Sequence, residues 1–202
     1  MASVTINKKL NLVIPLDVDE NKRMWVHSTP ISREVFEASY MLFVKTLSNL
    51  YFNGIGPGMA PRVAALALRD MAKEIDSTTD LSMPVIQEIY RLTFVLMIDP
   101  VTNKWTAKPF LEIKMKNMLD EEVIREVENA LVYFTVASAI HLKSELPSIM
   151  IGLSSIWEAQ TTSLTAMDYC NSLTISNQEE NTGESPEPIQ KASAPRALSI
   201  PS

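Results

Sequence analysis

The sequence predicts a mainly α protein: a single helical domain of about five helices, with an N-terminal β-hairpin and a disordered C-terminal tail. Three observations lead there. Several apolar residues near the start share one parity. Further on they recur at helical spacing through long stretches separated by Pro, Gly and Asp. After Leu173 the composition changes, with four prolines, four glutamates and no aromatic residue among positions 174–202. The expected boundaries are a hairpin over 1–31, helices over 32–173 and a tail over 174–202.

Val4, Ile6, Leu10, Leu12 and Ile14 share one parity, which suits a half-buried strand. Pro15 and the polar run 17–23 read as a turn, and Met24–Ser28 as the returning strand. A lone hairpin is marginal in water, so it must pack on something larger. Pro30 and Ser32 open a helix over 35–52 that Gly54 ends. On a helical wheel Phe36, Tyr40, Phe43, Val44, Leu47, Leu50 and Tyr51 form one arc of about 120°. Met41 and Phe52 lie opposite, and Val35 and Leu42 point in a third direction. A helix wetted on so narrow a face must touch more than one neighbour.

The stretch GIGPG (54–58) is a breaker, and the alanine-rich 59–75 is a helix whose small residues permit close approach. Asp76–Asp80 is a loop. Ser82 and Pro84 open a third helix running through 84–98. Residues 99–110, turn-rich and holding Trp105, read as a loop or short hairpin. Asp120 caps the clearest helix, with Glu121 and Glu122 at the positive end of its dipole. Val123, Ile124, Val127, Ala130, Leu131, Phe134 and His141 make one face; Val132, Tyr133, Val136 and Ile140 add a second. Pro147 breaks it, and 148–169 is a last, weaker helix. The tail buries too little to offset its ordering entropy.

The search for chemistry turns up little. A formal net charge of -6 and a pI near 5.0 argue against nucleic-acid binding, which needs concentrated basic surface. One cysteine, Cys170, makes no internal disulfide, and a reducing compartment is its natural home. The first residues lack the unbroken apolar run of a signal peptide, and no run has the length to span a bilayer. His27 and His141 are far apart and are read as structural, with no metal-ligand partner at i+3 or i+4. GIGPG lacks the Lys-Ser/Thr of a phosphate loop. The carboxylate pairs Glu121/Glu122 and Glu126/Glu128 read as capping and solvated residues rather than acids facing across a cleft. Eleven methionines are the one compositional oddity; methionine either fills core gaps or makes adaptable binding surface. No catalytic, cofactor-binding or metal-binding residue is assigned, and no partner-binding residue can be named. A binding protein is favoured over an enzyme.

Four stretches, WVHSTPISREVFEASY (25–40), GPGMAPRVAALALRDMA (56–72), EVENALVYFTVASAIHLKSELP (126–147) and WEAQTTSLTAMDYCNSL (157–173), together resemble the tail assembly chaperones of long-tailed bacteriophages. The resemblance covers most of residues 10 to 173. It implies a protein that coats the long helical tape measure protein, keeps it soluble and helps recruit tail tube subunits. It further implies work in the host cytoplasm, absence from the mature virion, and a longer form made by ribosomal frameshift that binds the tube protein. Self-association is a further expectation, and neither nucleic acid nor membrane is an expected partner. The excess apolar sides of helices 35–52 and 130–142 are candidates for chaperone–chaperone or chaperone–client contact, with burial in the domain's own core as the competing reading. Two alternatives remain. One is a structural virion component, a connector or tail-completion subunit. The other is a small-molecule enzyme or sensor built around GIGPG and Trp105.

Overall fold

A computed structural model describes residues 10–19, 22–52, 55–142 and 144–180. Val4 and Ile6 of the expected first strand, Gly54 as a helix end, and the expected tail from 181 onward lie outside the described residues. The described chain is 60% helical and 18% strand, and its strands form one five-stranded antiparallel sheet of order β4-β3-β2-β1-β5. This overturns the mainly α expectation. The molecule has a mixed α/β fold in which the N-terminal hairpin is the middle of a sheet rather than an appendage.

Strands β1 (Asn11–Asp19) and β2 (Lys22–Ser28) pair antiparallel, with Ile14 opposite Val26 and Pro15 opposite Trp25. Pro15 therefore lies inside β1 instead of ending it. Strand β5 (Gln160–Thr162) pairs only with Asn11–Val13, so β1 is an outer edge at Pro15, where a missing N–H is tolerated. On the other side β2 pairs with β3 (Thr93–Ile98), which pairs with β4 (Trp105–Pro109).

Between β2 and β3 lie four helices: α1 (Arg33–Ala38), α2 (Tyr40–Phe52), α3 (Gly56–Ile75) and α4 (Ser82–Arg91). Ser32 caps α1 by accepting from the Val35 amide. The helix expected over 35–52 is broken at Ser39, and that expected over 84–98 stops at Leu92. The next six residues, TFVLMI, form β3. Val95, Leu96 and Met97 are all buried, because helices cover one side of the sheet and α8 the other. A run buried on both faces shows no alternation, and periodicity alone cannot separate it from a buried helix. The turn into β4 is built by Asp99, whose carboxylate accepts from the Val101 and Thr102 amides at 2.9 Å. Of the two readings of 99–110, the short hairpin is the one adopted.

After β4 come α5 (Phe110–Met115), α6 (Glu121–Ile140), α7 (Leu146–Trp157), β5 and α8 (Ala166–Glu180). The single helix expected over 148–169 is two helices and a strand. Glu158 takes a left-handed conformation (φ 52°) that ends α7 and turns the chain into β5. α8 runs to Glu180, so its last seven residues lie in the tail expected from 174.

The core sits on the sheet face made by Leu12, Ile14, Leu16, Met24, Val26, Val95 and Met97. Helix α6 runs through its centre, with every residue from Val127 to Ser138 buried. The second apolar face of α6 is thus absorbed by the domain's own core, apart from Ile140 at its end. Ala60, Ala64, Ala65, Ala67 and Ala72 bring α3 close to its neighbours. The other sheet face presents Val13, Trp25, His27, Phe94 and Leu96, and α8 covers it, packing along β3 and β4. Tyr169 of α8 meets Trp25 edge-on at 5.7 Å between ring centroids.

His27 is buried beneath α8 and bonds through Nε2 to the Leu164 carbonyl at 3.0 Å. A carbonyl only accepts, so Nε2 carries the proton of the neutral ring. A second proton would go to Nδ1, which is buried with no hydrogen-bond partner among the described residues. Burial lowers the His27 pKa below its ordinary value, against the opposing pull of the Leu164 carbonyl. The unfolded chain therefore takes up this proton first as pH falls. Stability is full above about pH 6.5, then declines toward the folded pKa by at most about 1.4 kcal/mol per pH unit. Urea midpoints between pH 7.5 and 5.5 should show this decline, and His27→Gln should flatten it.

Candidate functional site

A cleft of about 960 Å³ lies between α2, the C-terminal end of α6 and α7. One wall is Val44, Leu47, Ser48 and Tyr51, spaced i, i+3, i+4, i+7 so that they share one face of α2. The other wall is the α7 face of Ser148, Ile149, Ile151, Gly152 and Ser155, which mixes small residues with isoleucine. Tyr133 and Ile140 of α6 form the floor. The Tyr51 and Tyr133 hydroxyls are 2.6 Å apart, and Tyr133 also donates to the Ile149 carbonyl at 3.4 Å, tying all three helices together. Burial, and then the bond to Tyr51, push the Tyr133 phenol pKa well above its ordinary value, so it stays a neutral hydroxyl.

No Asp, Glu, Lys or Arg is among the described residues lining the cleft. His141, at its edge, follows the last residue of α6 and lies 3.3 Å from the Glu145 carboxylate. That carboxylate, four residues on, is a partner that the sequence reading overlooks. No group of three metal-ligating side chains exists among the described residues. Large apolar side chains stand open at the rim, with Phe52 84% and Ile151 67% exposed. The geometry suits laying down an uncharged, apolar surface, as grooves that receive amphipathic helices do.

The helix 35–52 stripe divides along its length. Phe43 and Leu50 are buried, Tyr40 is half exposed, and Val44, Leu47 and Tyr51 are partly buried walls of the cleft. Met41 and Phe52, on the opposite side of the wheel, are exposed, whereas Leu42 is buried. The sequence reading does not single out the α7 wall, although Ile149, Ile151 and Ile156 exceed what one core-facing stripe needs. Met24, Met97 and Met150 fill core, while Met41, Met59, Met83, Met115 and Met167 are each at least 48% exposed. Gly58 of GIGPG lines the cleft, but Trp105 is on β4 and does not. Cys170 is buried in α8, and burial pushes its thiol pKa up, the reverse of what a nucleophile needs.

A second, polar cleft of about 610 Å³ is lined by Arg69, Lys114, Glu121, Glu122, Ile124, Arg125 and Glu128. Its centre is Glu128 of α6, buried and bonded to Arg69 of α3 and to the Tyr90 hydroxyl of α4. Lys114 of α5 lies 2.8 Å from the Tyr90 oxygen and 3.5 Å from the carboxylate. Burial alone would raise the Glu128 pKa, but the Tyr90 and Arg69 hydrogen bonds and the charges of Arg69 and Lys114 outweigh it and hold it low. The sequence reading groups Glu128 with solvated carboxylates; it is instead an internal ion-pair hub. Its oxygens are taken by protein donors, so this cleft is bracing rather than a site. The separate pair Glu121/Glu122 is exposed at the start of α6 as expected.

Compared with protein families, curated proteins and solved structures, the chain matches none. No helix among the described residues is long and apolar enough to cross a membrane.

Proposed function

We propose that this chain is a non-catalytic assembly chaperone of the phage tail kind that its sequence resembles. Its client would be the tape measure protein, held in the cleft between α2, α6 and α7. The observation that carries the reading is the cleft's uncharged lining and open apolar rim. A long helix with apolar stretches aggregates when uncovered, and a groove walled by two helices over a third accepts an amphipathic helix. Held in solution this way in the host cytoplasm, the client would be available for tail tube subunits to assemble around it. The net charge of -6 supports solubility of the loaded complex.

The test is co-expression with the long helical protein encoded beside this chain, followed by pull-down and a solubility assay. The client should become soluble and co-purify. Ile151→Asp, which puts a charge on the α7 wall without touching the core, should reduce capture at least about tenfold, the equivalent of about 1.4 kcal/mol. A client that stays insoluble and unbound would overturn the reading. Finding the chain in finished particles would then make a connector or tail-completion subunit the better reading.

A further inference from the structure

The outward side of α3 has a pattern that the client cleft does not use. Taking 3.6 residues per turn, Met59, Arg62, Leu66, Asp70 and Lys73 fall within one arc of about 80°. Leu66 is 58% and Met59 55% exposed, beside a shallow apolar depression of about 440 Å³ that includes Val63 and Ala67. Arg62, Asp70 and Lys73 are exposed too. None of the three takes part in an ion pair between described residues.

The pattern is palindromic about Leu66. Arg62 and Asp70 stand four residues to either side, about 6 Å along the axis. Met59 and Lys73 stand seven residues to either side. When two copies of such a helix pack antiparallel with a two-fold axis at Leu66, each Arg62 meets the other copy's Asp70. The two Leu66 side chains then meet on the axis, and each Met59 lies against the aliphatic stem of a Lys73. A two-fold interface has to be self-complementary in this way; a surface shaped for a different protein does not.

We propose that α3 is a homodimer interface, in which two copies of this chain pair antiparallel about Leu66. The charge arrangement matters because two chains of net charge -6 repel each other at long range. A patch that pairs opposite charges twice while burying Leu66 and Met59 offsets that repulsion locally. The patch is small beside a standard interface, so association is weak. It belongs at micromolar and higher concentrations.

Sedimentation equilibrium from about 10 to about 500 μM covers that range and should show a reversible monomer–dimer equilibrium. Arg62→Asp should weaken it about tenfold, since it turns both ion pairs into repulsions. Asp70→Arg should do the same. The double variant, with the charges exchanged, should dimerise like the original chain, and an equimolar mixture of the two single variants should form the mixed dimer preferentially. Leu66→Glu should abolish dimers while circular dichroism stays unchanged, because position 66 is outside the core. A chain that remains monomeric throughout the range overturns the proposal. So does a dimer indifferent to Leu66→Glu, or one that the double exchange fails to restore. The client reading rests on a different face and stands or falls separately.

Discussion

Replacing Glu128 by alanine is expected to lower the unfolding free energy by about 3 kcal/mol, the lower end for breaking a buried ion pair. The lower end applies because the Arg69 and Lys114 side chains are 42% and 39% exposed and can turn toward water once the carboxylate is gone. Tyr90 cannot, and its hydroxyl would be left buried with Lys114 beside it. For a chain of this size such a loss lowers the melting temperature by roughly 6–12 °C. Glu128→Gln keeps the shape and an acceptor for Tyr90 but removes the charge, and should fall between the original chain and the alanine variant. Chemical denaturation distinguishes the outcomes: a loss under about 0.5 kcal/mol is what an exposed surface substitution gives, and would show that the carboxylate is not buried. The carboxyl's lowered pKa adds a pH signature. Its contribution is present above the unfolded pKa, near the ordinary value of 4.5, and is lost as pH falls through the lower folded value. That acid loss should be absent in Glu128→Ala.

Cutting the chain before Ala166 is expected to be more damaging. It removes α8 and uncovers the outer face of the sheet, where Val13, His27 and Leu96 are buried and Trp25 and Phe94 are partly so. At about 1.5–3 kcal/mol per fully buried large apolar side chain, the loss is on the order of 5–8 kcal/mol, comparable with the whole stability of a domain. The truncated chain should aggregate or bind a hydrophobic dye, and lose its cooperative melting transition. Tyr169→Ala is the milder version: it removes the ring that packs on Trp25 and lies 6.3 Å from His27, with an expected loss of about 2–3 kcal/mol. A truncated chain that melts like the full one would show that α8 is no part of the fold.

Ala166, Tyr169, Cys170 and Leu173 stand at i, i+3, i+4 and i+7, the spacing of one helical face, and all four are buried or partly buried. The signal is there, but it merges with that of α7 because no proline or glycine separates them. The break is made by Glu158, whose left-handed backbone no residue preference announces. The same limit applies to β5, three residues long, and to β4, whose five residues include a Lys and a Pro. Strands this short are fixed by what lies alongside them. They carry too few side chains for a period of two to show.

The cleft is half legible. Excess apolar surface on helix 35–52 is plain in the sequence, but of the residues outside the expected core stripe only Phe52 is among those lining the cleft; Val44, Leu47 and Tyr51, which form its wall, belong to that stripe. The same excess on 130–142 is mostly covered, because every residue of α6 from Val127 to Ser138 is buried, and of its second apolar face only Tyr133 and Ile140 reach the cleft, as its floor. Composition counts apolar residues; whether a neighbour covers them depends on where the chain returns. The carboxylate at Glu128 and the histidine at position 27 follow the same rule. Each looks solvated or neutral in sequence, and each is buried because other elements close over it.

The features written directly into the sequence are local: the pairing of β1 with β2, the helices over α3 and α6, the Ser32 cap and the Asp99 turn. These depend on residues within a few positions of one another, where spacing and side-chain type act directly on the backbone. Packing across the whole molecule is what makes TFVLMI a strand and puts the hairpin in the middle of a five-stranded sheet. It also lays the last helix over the sheet's far face and leaves certain apolar residues open. Those outcomes depend on burial from both sides by segments distant in the chain, and burial is a property of the packed molecule rather than of any stretch of it.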